Sequence, residues 1–298
     1  LKEEIKSLEK DLISIEKELE ILSSEHDETK LELNKIEVEV SNKIKSKTNN
    51  EYRINVLDNS IENNNTYLYA VKSVLSNIKL TGICDTIGNV IKTEGEYSIA
   101  IDTALGASSQ FVITETSKDA EDAINYLKNN SFGRATFFPL DVIKGKNIDL
   151  ETYNLIKDKA GFVDIASNLV NYDNRYENII LNQLGNIIVA SNMKSATSFS
   201  KLINHKYRIV TLEGEIIHVG GSLTGGQVKK SSSVILDKME LEKLQKENEI
   251  LHHELKILEQ TINKNNESLE RINIKIDTIK RKKIYTDEIL NVKNNELN

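Results

Sequence analysis

The feature that most constrains this chain is an alternation of four- and three-residue steps between apolar residues, beginning Leu1, Ile5, Leu8, Leu12, Ile15, Leu19, Leu22. In the same register come Leu33, Ile36, Val40, then Ile54, Leu57, Ile61, Leu68, Val71 and Leu75. A 3.5-residue period sustained this long predicts a left-handed supercoil with a partner helix rather than an isolated amphipathic helix. At helical rise the arm to Leu75 would reach about 110 Å. A second seam runs Leu241, Leu244, Leu251, Leu255, Leu258, Ile262, Leu269, Ile272, Ile276, Ile279, Leu290. Both arms end at one central block, so the simplest closure pairs them antiparallel within the chain; the alternative pairs each arm in parallel with another molecule. His26, Thr29, Lys43, Lys47, Asn50 and Asn64 are polar seam positions. His26 reads as a tolerated polar seam residue rather than a metal ligand or pH sensor. The run from Lys43 to Asn50 loses three consecutive apolar positions and reads as an elbow or open segment.

Composition agrees with coiled coil. With 39% hydrophobic and 29% charged residues, a chain of 298 is too polar for one globule, and Pro139 is its only proline. The single cysteine, Cys84, excludes a disulfide framework and the Cys-x-x-Cys of a thiolate zinc site, and suits a reducing cytosolic compartment. No apolar run approaches the roughly 18 residues of a membrane span. A net charge of −7 leaves no global electrostatic case for nucleic acid, so any DNA contact must come from a local patch. The chain opens at Leu1 already inside the heptads, as expected of a piece of a longer protein.

Between the arms (1–78 and 237–298) the heptads stop and glycines concentrate. This middle block, 79–236, repeats itself: Gly82, Asp85, Tyr97, Leu105 and Gly106 recur at a constant offset as Gly161, Asp164, Tyr176, Leu184 and Gly185. Each copy reads as a helix ending in Leu-Gly, a short apolar strand (110–114; 186–190), a helix (118–130; 193–204) and a strand (134–138; 207–212). The expected fold is therefore an α/β (α+β) globular block of two similar subdomains, about 79–150 and 151–236, flanked by a long antiparallel α-helical coiled coil. Gly106 and Gly185 stand where a helix takes a left-handed C-terminal residue. The matched Tyr and Leu positions are expected to build two cores, and the matched glycines to serve turns. Two like subdomains offer two surfaces that can meet a second chain about a two-fold axis and close a ring.

After an expected strand, 216–219, lies Gly220-Gly221-Ser222-Leu223-Thr224-Gly225-Gly226. Gly221 and Gly226 have P-loop spacing, but Gln227 stands where the phosphate-binding lysine must be, which argues against a nucleotide. Two readings remain level: close backbone approach by a second chain's strand, and a flexible loop.

These residues resemble a known family. Tyr97-Ser-Ile-Ala-Ile-Asp-Thr-Ala-Leu-Gly106, Gly133-Arg-Ala-Thr-Phe-Phe-Pro-Leu140, Thr211-Leu-Glu-Gly-Glu-Ile-Ile217 and the glycine segment, in this order, resemble the hinge of bacterial structural-maintenance-of-chromosomes (SMC) proteins. The resemblance spans the middle block, and the antiparallel arms extend it to the whole chain. It implies a homodimerising hinge that joins two arms for chromosome condensation and segregation, with Gly220, Gly221, Gly225 and Gly226 at the dimer interface. It implies DNA contact near the hinge–coil junction, at Lys229 and Lys230, with Lys144 and Lys146 as lesser candidates. ATPase heads binding ATP and Mg, and engaging kleisin and accessory subunits, would lie outside this chain, which needs no cofactor itself. The implied location is cytoplasmic and nucleoid-associated.

An enzyme would need a cluster, and none is visible. His205 and His218 lie outside any ligand spacing, Asp85 and Asp164 are accounted for by the repeat, and Ser222 has no histidine partner nearby in sequence. A zinc hook, which joins the arms of a related coiled-coil ATPase family, needs the Cys-x-x-Cys that a lone Cys84 lacks. The competing reading is a coiled-coil tether whose central domain binds a different protein.

Overall fold

The computed structural model describes residues 1–63, 67–226 and 233–297. They form nineteen labelled elements: α1 (Lys2–Glu62), α2 (Tyr69–Leu75), β1 (Ile83–Thr86), α3 (Ile87–Val90), β2 (Lys92–Thr93), α4 (Ser98–Leu105), β3 (Val112–Thr114), α5 (Ser117–Asn130), β4 (Phe137–Pro139), α6 (Leu150–Ile156), β5 (Phe162–Ile165), β6 (Val170–Asn171), α7 (Glu177–Leu184), β7 (Ile187–Ala190), α8 (Met193–Leu202), β8 (Arg208–Thr211), β9 (Ile216–Ile217), β10 (Leu223–Thr224) and α9 (Val234–Leu297). The chain divides into two compact units, 1–53 with 244–298, and 54–243.

The first unit is the coiled coil. From Ile5 to Asn50 the seam residues are buried or half-buried, and nearly every residue between them is exposed. Ile15, Leu19 and Leu22 pack with Ile272, Ile276 and Ile279. Ion pairs join Glu4 to Lys293 (2.9 Å), Glu16 to Lys283 (2.7 Å) and Lys43 to Glu254 (2.8 Å), so numbers rise on one helix as they fall on the other. The pairing is antiparallel and lies within the chain. Two expectations are corrected here. α1 runs unbroken through 43–50, because Lys43 reaches across to Glu254 rather than opening the coil. The seam also does not continue to Leu75. α1 ends after 61 residues, about 92 Å, and Val71 and Val74 of α2 instead pack with Val112, Ala123 and Leu127 of the second unit. The polar seam position Asn64 lies outside the described residues.

In the second unit the duplication is explicit. The first copy is a three-stranded sheet, β1-β3-β4; the second repeats it as β5-β7-β8 and adds β9 and β10. In each, the first pairing is antiparallel and the second parallel. The copies do not build two separate cores, as expected from sequence, but share one. Ile87, Ile91, Ala100, Ile101 and Leu105 meet Ala166, Val170, Ile179, Ile180 and Leu184, their own counterparts, and smaller clusters flank this core on either side. β2 and β6 pair antiparallel with Lys92 opposite Asn171, again matched positions, so the copies face each other across an internal pseudo-two-fold.

The matched residues now have physical roles. Asp85 accepts from the Thr86 N–H and Asn89 Nδ2, and Asp164 accepts from the Ile165 N–H and Asn168 Nδ2, so each aspartate braces the same turn. Gly82 (φ +72°) and Gly161 (φ +88°) lie against the first turns of α5 and α8, where a Cβ would overlap the Asp119 carboxyl and the Ser195 side chain. Gly106 has the expected positive φ, +51°. Gly185 does not: its φ of −70° is right-handed, and it is glycine because the 144–148 strap passes so close that a Cβ would overlap the Lys146 carbonyl.

The root of α9 is fixed to the first copy. Val234 and Ile235 are buried, Ser233 Oγ donates to Asp102, and Lys238 Nζ donates to the Asn89 carbonyl (3.2 Å) and side chain. Asp149 caps α6, accepting from Lys206 Nζ (2.8 Å), Tyr207 OH (2.7 Å) and the Thr152 N–H (2.9 Å). Among the described residues no helix is long and apolar enough to cross a membrane.

Two outcomes are expected. G82A and G161A each lower the urea midpoint, at a cost of about 2–4 kcal/mol, because both space and φ forbid the methyl group. The Lys206 ammonium, then the Thr152 N–H and Tyr207 hydroxyl, hold the Asp149 carboxyl well below the usual carboxylate range. Its contribution to stability is therefore present above the unfolded value near pH 4 and is lost as pH falls through the folded value. A D149N variant should melt below wild type at pH 7, with the gap closing toward pH 2.

Candidate functional site

α8 is followed, after Ile203, by two consecutive left-handed residues, Asn204 (φ +53°) and His205 (φ +54°), which turn the chain into β8. The His205 ring is held by Ser200 Oγ (2.6 Å), and its carbonyl accepts from the Gly220 N–H (3.0 Å). A Cβ on Gly221 would stand 3.1 Å from the ring nitrogen, so this histidine supports the glycine segment from beneath. β9 and β10 form a hairpin, with Leu223 opposite Ile217 and Thr224 opposite Ile216. Its turn is closed by the His218 N–H donating to Ser222 O (2.8 Å) and the Gly221 N–H to His218 O (2.9 Å), and His218 Nε2 lies 2.9 Å from Thr224 Oγ1. Both histidines, which the sequence left without a role, are thus braces of the hairpin. Asn204-His205 after a helix was the available signal, since Asn and His are enriched at positive φ.

The four glycines of this segment differ in why they are glycine. Gly220 (φ +86°), Gly221 (φ +96°) and Gly226 (φ +118°) occupy backbone conformations that side chains disfavour. Gly225 does not, and a Cβ there would make only ordinary contact with Glu215, at 3.6 Å. Among the described residues nothing demands glycine at 225. β10 is the edge of its sheet, and among the described residues no strand pairs with its outer side. Leu223 is 61% and Val219 66% exposed there.

In the first copy β4 is also a sheet edge. Val112 N–H donates to Thr136 O and Leu140 N–H to Thr114 O, both at 2.9 Å, so residues 136 and 140 address β3. By alternation Phe137 and Pro139 present their backbone groups outward. Pro139, with no N–H to offer, sits where an edge strand tolerates it. In the second copy the equivalent edge, that of β8, is covered by β9.

Lys144 and Lys146 lie on the strap between β4 and α6, which rests on α7: Asn182 Nδ2 donates to the Lys144 carbonyl (2.8 Å), and Gly145 N–H to Asn178 Oδ1 (3.2 Å). Both side chains are exposed. They are on a different element from the glycine hairpin. Lys229 and Lys230 lie outside the described residues.

One cluster that the sequence did not bring together bridges the copies. Arg175 Nη2 donates to Glu115, lies 3.5 Å from Cys84 Sγ, and its guanidinium sits 5.0 Å from the Tyr176 ring centre. Burial first, and then the Glu115 charge, push the Cys84 thiol up to about 11. Among the described residues no group of three or more His, Cys, Asp or Glu could hold a metal.

Residues 79–200 match the family model of the SMC proteins' flexible hinge domain. The crystal structure of an asymmetric dimer of the Geobacillus stearothermophilus SMC hinge domain is 33% identical, covers 82% of this chain and 99% of that one, and superposes with a TM-score of 0.68. This chain belongs to the SMC hinge family. The SMC hinge and its coils are 40% identical over 198 residues to the chromosome partition protein Smc of Bacillus subtilis, covering 66% of this chain. They are 34% identical over 290 residues to that of Methanococcus voltae, covering 97%. The chain spans 17% and 23% of those relatives' lengths.

The thiol of this SMC hinge is therefore expected to react slowly. At pH 8 the Cys84 thiolate fraction should be far below that of free cysteine, so an aromatic disulfide reagent should label native protein much more slowly than protein unfolded in urea. Equal rates would place Cys84 in solvent.

Proposed function

We propose that this chain homodimerises through its hinge, the β10 edge of one protomer meeting the β4 edge of another. The observation that carries this reading is Gly225, a glycine with no conformational or steric reason among the described residues, directly after the edge strand β10 with its exposed Leu223. Strand addition at an edge supplies that reason, because a partner backbone approaches where a side chain would stand. The first copy offers β4 and the second offers β10, so a two-fold axis makes the same contact twice and closes a ring. The known structure of an asymmetric hinge dimer in a relative supports the same reading.

In the full-length protein the hinge would join two coiled-coil arms of an ATP-driven complex that organises chromosomal DNA in the cytoplasm for condensation and segregation. ATP and Mg would bind at heads outside this chain, where kleisin and accessory subunits engage; the hinge itself acts as a joint, not as a catalyst. Lys229 and Lys230, with Lys144 and Lys146, would supply DNA contact near the junction.

Light scattering tests the dimer. Wild type is expected at twice 33.7 kDa, and G225L, which introduces no φ strain, at a single folded mass with an unchanged circular dichroism spectrum. A wild-type monomer at micromolar concentration would replace this reading with a tether that binds a different protein.

A further inference from the structure

The ion pairs of the coil fix its register. With Glu16 on Lys283 and Lys43 on Glu254, the seam places Leu22 opposite Ile276, His26 opposite Ile272, Leu33 opposite Asn265 and Asn50 opposite Asn248. The match is imperfect, since His26 and Asn265 each face an aliphatic side chain. Among the described residues, the buried Nδ2 of Asn265 and the buried Oδ1 of Asn248 have no hydrogen-bond partner. A buried polar atom left unpaired destabilises the arrangement that leaves it so.

Polar seam residues ordinarily select a register, and these two are better served by a different one. If α1 slides by one heptad toward the start of α9, His26 comes opposite Asn265 and Lys43 opposite Asn248. An imidazole nitrogen can accept from the orphaned Nδ2, and an ammonium can donate to the orphaned Oδ1, so both atoms find the group they lack. Apolar layers survive the slide: Leu22 meets Leu269, Leu33 meets Leu258 and Ile36 meets Leu255. The charges recur as well, with Glu9 replacing Glu16 on Lys283 and Glu247 replacing Glu254 on Lys43. Against this, the Glu4–Lys293 pair is lost and Asn50 exchanges Asn248 for Leu241, while Lys47 faces a leucine in either register. The equal slide in the opposite direction sets Asn265 against Val40 and Asn50 against Leu255, and rescues neither orphan.

We infer that the antiparallel coil has two registers, the observed one and a second displaced by one heptad, in which α1 stands about 10 Å nearer the start of α9. Ser233 and Lys238 anchor the start of α9, so α1 is the helix that moves. A ratchet of one helix along another is a discrete displacement that an arm can carry without unfolding.

The test is disulfide trapping with paired cysteines, read as the intrachain product on a non-reducing gel. Because a disulfide needs Cα atoms within about 7 Å, a pair one heptad out of register closes only after the slide. E16C/K283C reports the observed register, E9C/K283C the second, and S23C/K283C the opposite slide; Cys84 is common to all three. E16C/K283C should close fastest, and E9C/K283C at least about tenfold faster than S23C/K283C, since closure follows the fraction of molecules in the competent register. Adding N248L/N265L sets leucines against Lys43 and His26 in the second register but against Leu33 in the observed one. It should slow E9C/K283C at least about fivefold while E16C/K283C, which shows that the coil has folded, still closes at its original rate. Equal rates for E9C/K283C and S23C/K283C overturn the inference, as does an E9C/K283C rate that N248L/N265L leaves unchanged. The product lies within one chain, so a failure here is distinct from a failure of the dimer.

Discussion

Matched side chains meet in the middle of the globular unit: Ala100, Ile101 and Leu105 of α4 and Ile179, Ile180 and Leu184 of α7 sit in one buried cluster, while β2 and β6 pair alongside. Each fully buried Ile or Leu is worth about 1.5–3 kcal/mol, and neither copy retains that burial if the other is removed. The copies are therefore one cooperative body rather than two beads. Every other feature is positioned by this contact, including the strand edges, the strap over Gly185 and the seat for the second arm.

Because the copies are locked as near-equivalents, their differences are informative. Where the second copy extends its sheet with β9 and β10, the first stops at β4 and leaves backbone groups without a strand partner. An exposed edge is ordinarily a hazard that a protein blunts, and here Pro139 blunts it in part. The glycine hairpin is braced by two histidines and carries at 225 a glycine that none of the described residues requires.

The roots of the arms show a related division of labour. Ile235 enters the shared core, Ser233 and Lys238 bond to residues of the first copy, and α2 packs on α5 of the same copy. The first copy thus holds the chain entering from and leaving to the coil, and the second copy projects the hairpin. Lys238 carries the cost of this arrangement: its burial lowers its affinity for a proton, and the Asn89 carbonyl and amide oxygen offset that by accepting from it.

The coil was legible in the sequence because a 3.5-residue repeat has one physical solution, a helix with a partner, and burial alternates as the repeat demands from Ile5 to Asn50. The duplication was legible because spacing and residue type recur together. Three things were not. The seam reads on to Leu75 because Val71 and Leu75 obey the heptad by number, yet Val71 finds its apolar surface on Val112 and Ala123; periodicity names a buried face and not its neighbour. Gly185 matched Gly106 in sequence but is glycine for lack of room, and only the path of the 144–148 strap reveals that. The glycine segment left strand approach and flexible loop level, because composition cannot tell a glycine held at positive φ from one held open for another chain. The tertiary structure gives Gly220, Gly221 and Gly226 a local reason, their positive φ, because it fixes the path of the hairpin, and among the described residues it leaves Gly225 with none.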